Sequence, residues 1–129
     1  MEIGAVLLVA AGSALGGVAR YGLDRAWPFD PAVNELPVAT LAANLVGSFL
    51  IGVLFGASTG GGPLEQAAGA RLLLGVGLLG GFTTFSAFSQ QTLAMLMQGE
   101  PYLAVANVAL SVVGGIVAAA LGFAIAQVV

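Results

Sequence analysis

Four long apolar runs, separated by short polar connections, organise this chain. They cover residues 3–23, 37–58, 70–98 and 102–129. Each reaches the roughly 20 residues that an α-helix needs to cross the hydrocarbon core of a bilayer. The connections carry turn chemistry: Pro28, Pro31, Asn34 and Pro37 in the first, Thr59-Gly60-Gly61-Gly62-Pro63 in the second, and Gly99-Glu100-Pro101 in the third. No stretch alternates apolar and polar residues with the period of a strand. The pattern predicts an all-α membrane protein, with residues 1–129 forming a single four-helix transmembrane domain.

The third run departs from the others. Within Leu72-Leu73-Leu74-Gly75-Val76-Gly77-Leu78-Leu79-Gly80-Gly81-Phe82-Thr83-Thr84-Phe85-Ser86-Ala87-Phe88-Ser89, the apolar sequence is interrupted by Gly80-Gly81 and then by Thr, Ser and Phe residues. Hydrocarbon offers no partner to freed backbone groups, so a helix interrupted at that depth persists only where protein, water or an ion satisfies them. The third helix is therefore expected to break midway across the membrane, around a site. If helix resumes beyond the break, Phe85, Phe88 and Thr92 share one face, and Ser86 and Ser89 the neighbouring one.

Polar residues in the other runs fall on compatible stripes. In the second, Thr40, Asn44, Gly47 and Ser48 lie at i, i+4, i+7 and i+8. Asn44 stands well inside the run, where an amide must find partners; interhelical glue is its ordinary role and a ligand contact the sharper one. The fourth run carries Asn107 and Ser111 one turn apart, then Gly114, Gly115, Ala118, Ala119 and Gly122, which form a packing seam. Gly12 and Gly16 are a small-xxx-small pair in the first run. Arg20, near its end, reads either as a snorkelling interfacial anchor beside Tyr21 or as a positive vestibule residue.

Composition narrows the function classes. Of the 129 residues, 59% are hydrophobic and 7% charged, against about 45–50% and 25% in soluble domains. A formal charge of −3 without a single lysine excludes a nucleic-acid surface. The absence of cysteine and histidine removes disulfides, thiol chemistry, histidine-dependent triads and the common zinc sites. No carboxylate pair lies within a span, so enzymatic acid–base work has no candidates. Gly75-x-Gly77-x-x-Gly80 spells the dinucleotide fingerprint, but it lacks the preceding strand and βαβ context that the fingerprint requires. The chain opens Met1-Glu2 rather than with basic residues, so the first run is expected to be retained rather than cleaved as a leader.

Three stretches, Gly16-Gly17-Val18-Ala19-Arg20-Tyr21, Ala39-Thr40-Leu41-Ala42-Ala43-Asn44-Leu45-Val46-Gly47-Ser48-Phe49 and Gly80-Gly81-Phe82-Thr83-Thr84-Phe85-Ser86-Ala87-Phe88-Ser89, resemble the signatures of the Fluc/CrcB family of fluoride channels. The likeness runs in order along nearly the whole chain. It implies a homodimer of antiparallel, dual-topology subunits in the inner (plasma) membrane, with two pores that let fluoride leave the cytoplasm passively. It further implies that Asn44, Phe85 and Phe88 line the fluoride path, with Thr40, Ser111, Thr84, Ser86 and Ser89 as polar track or support and Arg20 at the vestibule. Backbone carbonyls of Gly80 and Thr83 would hold a structural sodium ion at the dimer centre. Ala87 is a departure, standing where many relatives have a further hydroxyl.

The residue types agree with this chemistry. Fluoride holds water tightly, so a pore must replace that shell with close donors. Asn44 has two amide hydrogens, and the Ser and Thr hydroxyls supply more. Phenylalanine ring edges carry partial positive charge and can face an anion without trapping it. Arg20 and Arg25 at one membrane face against Arg71 at the other leave a bias of one residue, consistent with insertion both ways. Two alternatives stay open: a small dual-topology proton-coupled exporter, which needs an ionisable group inside the membrane that the spans lack, and a non-conducting packing subunit.

Overall fold

The computed structural model describes residues 2–128, and among them every regular element is helical. Helix α1 spans Ile3–Ala26 and α2 spans Val38–Ala57. A composite third element follows: α3 (Ala68–Arg71), a π-helical stretch (Leu72–Leu79), α4 (Gly80–Phe82) and α5 (Phe85–Met97). Helix α6 runs over Pro101–Ala126. Four segments, Ile3–Ala26, Val38–Ala57, Ala68–Met97 and Pro101–Ala126, are long and apolar enough to cross a membrane. The four runs of the sequence thus become four such segments, with ends within about three residues of expectation. The expected terminus of the last, Val129, lies outside the described residues.

Turn residues set the boundaries. Gly60, Gly61 and Gly99 adopt φ values of +63°, +84° and +79°, a region costly for any residue with a Cβ. Gly99 allows the chain to leave α5, and Pro101 starts α6 at a position where its missing N–H costs no helical bond.

Packing follows two seams of small residues. Helix α2 lies along α6, and α1 along the π-helical stretch and α4. At the first seam a Cβ on Gly52 or Gly122 would collide with the carbonyls of Ala119 and Phe49 respectively. At the second, Gly12 and Gly77 face each other so closely that a Cβ on Gly77 would lie 2.9 Å from the Cα of Gly12. Lipid tails are as apolar as leucine, so helices in a bilayer associate through such close van der Waals approach rather than by escaping water. Both seams were legible as small-residue patterns. The π-helical turn was not: it widens the third element where glycines let the backbone of α1 come near, and Gly80 N–H bonds back to the carbonyls of Gly75 and Gly77.

The position of the irregularity differs from expectation. Gly80 and Gly81 remain helical, and the extended residues are Thr83 (φ −82°, ψ 157°) and Thr84 (φ −150°, ψ 121°). Gly81 serves contact instead, since a Cβ there would sit 2.5 Å from the Ser13 carbonyl oxygen. β-Branched threonines suit extended backbone better than helix, and their hydroxyls provide the caps that glycine cannot.

Candidate functional site

The two extended threonines are held by α2. Asn44 Nδ2 donates to the Thr84 carbonyl at 3.1 Å, and Thr84 N–H donates to Asn44 Oδ1 at 2.8 Å. One amide side chain thus pairs with both backbone groups of a single residue, as a neighbouring strand would. One turn along, Gly47 leaves room for the methyl group of Thr83, which occupies the place of a Cβ. Thr83 Oγ1 donates to the Leu79 carbonyl at 3.0 Å and closes the end of the helical ladder. Thr84 Oγ1 accepts from Ala87 N–H at 3.2 Å, the N-cap that restarts helix at α5.

These bonds redirect two donors. In an uninterrupted helix Thr84 N–H would serve the Gly80 carbonyl and Ala87 N–H the Thr83 carbonyl. Both go to side chains instead. Gly80 is also exposed on the single chain.

Above the extended residues lies a cavity of about 390 Å³, lined by Asn44, Gly47, Ser48, Ile51, Gly75, Leu79, Gly80, Thr83, Thr84, Phe85, Phe88, Ser111 and Val112. Three separate spans contribute to it, and no ionisable side chain is among its walls. Of the residues expected at the site, the cavity unites Asn44, Phe85, Phe88, Thr84 and Ser111 with Gly80 and Thr83. The rings of Phe85 and Phe88 lie 5.6 Å apart with 43° between their planes. Phe85 is 79% exposed, so its ring stands at the open rim.

Other expected residues lie elsewhere. Ser86 and Ser89 are exposed; Ser86 Oγ lies 3.3 Å from Thr84 Oγ1, and Ser89 Oγ donates to the Phe85 carbonyl at 2.9 Å. Thr40 is 2% exposed and borders a different cavity of about 360 Å³, with Asp24, Trp27, Pro37, Gln90 and Gln91 among its walls. There Thr40 Oγ1 and Gln91 Oε1 are buried without a partner. The stripe on α2 thus divides between two cavities, because Asn44 pairs with Thr84 while Thr40, one turn earlier, faces α5 further along. Arg20 pairs with Asp24 at 3.3 Å, and Asp24 borders that second cavity.

Two residues near the site were not assigned to it from the sequence. Asn107, 1% exposed, donates to Thr92 Oγ1 at 2.9 Å, and Thr92 donates to the Phe88 carbonyl at 2.7 Å. This chain ties α6 to the helix carrying Phe88. A polar residue deep in each run was the available signal; their pairing across 15 residues was not visible. Gln91 is the other, an amide within an apolar run whose partner cavity only the fold assembles.

Comparison with known proteins gives a consistent picture. The family model described as CrcB-like protein, Camphor Resistance (CrcB), matches residues 7–123. A fluoride-specific ion channel FluC of Erythrobacter litoralis is 48% identical over 111 residues, covering 84% of this chain and 81% of the relative. That of Methylocella silvestris is 45% identical over 121 residues, covering 93% and 91%. That of Pyrococcus furiosus is 38% identical over 127 residues, covering 98% and 99%.

Proposed function

The chain belongs to the CrcB-like family, a family of ion channels and not of enzymes, and from that premise we propose that it is a fluoride-selective passive channel in the microbial plasma membrane. The observation that carries the reading is the uncharged cavity in which Asn44, Thr84, Ser111 and the Phe85–Phe88 pair converge over two extended residues. A full positive charge would bind a small anion too tightly for release, whereas amide hydrogens, hydroxyls and ring edges give graded attraction. Asn44 contributes less than its composition allows. One of its amide hydrogens goes to Thr84 and its oxygen is also engaged, which leaves one hydrogen for an ion.

We read the third transmembrane helix as broken within the bilayer at Thr83 and Thr84. In this reading a second copy, running the opposite way, covers the exposed rim at Phe85 and completes two pores per dimer. The dual insertion that this requires accords with the near balance of arginines across the two faces. We take the carbonyls of Gly80 and Thr83 as the structural sodium site, since both are among those whose helical donors have been drawn away at the break and both border the central cavity. Bound there, sodium would supply a fixed positive charge joining the two subunits.

Purified protein in liposomes loaded with fluoride tests the proposal, with chloride as control. Passive fluoride efflux without chloride efflux is expected. Uphill export driven by a pH gradient would instead establish a coupled exporter, and the absence of any flux a packing subunit.

A further inference from the structure

A second groove, on the outer surface of the single chain, shares only Ile51 and Gly75 with the cavity of the proposed ion path. Its volume is about 480 Å³ and it is lined by Ile51, Leu54, Phe55, Ser58, Thr59, Arg71, Gly75 and Val76. From Ile51 to Ser58 it follows α2 for about 10 Å. The walls are aliphatic and aromatic along this length, and Phe55 and Val76 stay 61% and 58% exposed. Only one end is polar, and that end carries Arg71, Ser58 and Thr59.

Charge and depth point to one occupant. Among the described residues the single ion pair is Arg20–Asp24, so half-buried Arg71 has no carboxylate partner among them. The carbonyls at the end of α2 are already served: Ser58 Oγ donates to Leu54, Thr59 Oγ1 to Phe55, and Gln127 Nε2 to Gly56. They do not compensate Arg71. Ser58 caps α2 and Arg71 ends α3, which puts the polar end at a span terminus, where headgroups lie, and the apolar length beneath it. We propose that this groove binds an anionic phospholipid, with one acyl chain against Leu54, Phe55 and Val76 and the phosphate on Arg71. A zwitterionic lipid fills the same apolar length but brings its own cation to the guanidinium, so it binds less well.

The test is native mass spectrometry of the purified full chain in detergent, titrated with dioleoylphosphatidylglycerol, dioleoylphosphatidylcholine or inorganic phosphate. Phosphatidylglycerol adducts should exceed phosphatidylcholine adducts about five-fold, the gain from one basic residue at an anionic headgroup, and phosphate alone should give none. Arg71→Gln should abolish the preference, Arg71→Lys should keep most of it, and Val76→Trp should lower both lipids by obstructing the groove. Equal adducts on the unmodified chain would overturn the proposal, as would a preference that survives Arg71→Gln or phosphate binding as well as the lipid. Should Arg71→Gln fail to fold, Val76→Trp decides, because unchanged lipid retention there places the lipid elsewhere. The chain has no native cysteine, so Val76→Cys reports on a second copy; a disulfide dimer through it would show that protein rather than lipid covers the groove.

Discussion

At the scale of single residues, Asn44 has the most constrained task, since its amide pairs with both backbone groups of Thr84 and still borders the cavity. Asn44→Leu leaves a half-buried N–H and C=O without partners, at about 1–3 kcal/mol each. The variant should unfold at lower temperature in detergent and pass little fluoride; full stability and flux would return Asn44 to ordinary packing. Phe85 and Phe88 make a different prediction, because neither ring holds the backbone. Phe85→Ile or Phe88→Ile should leave folding and assembly near normal while fluoride efflux falls about ten-fold, the effect of roughly 1.4 kcal/mol of lost ring-edge attraction. Unchanged efflux in both would remove the rings from the path. Asn44 and the two phenylalanines were legible as chemistry in the sequence, but the Thr84 backbone as the partner of Asn44 was not, since the two lie 40 positions apart.

At the scale of elements, the interruption before α5 depends on fit as much as on sequence. Gly80-Gly81 looks like the breaking point, yet those residues stay helical because Gly81 packs on Ser13, and the threonines leave the helix instead. Gly47 admits the Thr83 methyl group that accompanies this geometry. Gly47→Ala should therefore destabilise the protein by about 1–3 kcal/mol through overpacking. Thr83→Ser deletes that methyl group while keeping the hydroxyl bond to Leu79. The double variant should recover most of the loss, a coupling that a double-mutant cycle in thermal unfolding measures directly. Independent, additive losses would mean that the contact does not shape the extended residues.

At the scale of the whole molecule, four spans pair as α2 with α6 and α1 with the π-helical stretch and α4, and they leave the cavity open at Phe85. The proposed oppositely oriented partner has a direct check in a chain without cysteine. Gln66→Cys, at an exposed position in the connection between α2 and α3, should be labelled by an impermeant thiol reagent from outside the cell in roughly half of the molecules, as near-balanced flanking charge allows. Uniform labelling, or none, would mean a single orientation and would exclude an antiparallel pair of identical chains.

Hydropathy and residue identity alone specify the class of this protein, its four apolar segments, their turns, the two small-residue seams and the family signature, because each depends on neighbours along the chain or one helical turn away. Three features needed the fold: which of Gly80-Gly81 and Thr83-Thr84 leaves the helix, the π-helical widening beside α1, and the division of the α2 stripe between two cavities. These depend on atoms far apart in sequence competing for the same space and the same hydrogen bonds. A glycine can relax a helix or admit a neighbour, and only the neighbour's position decides between them.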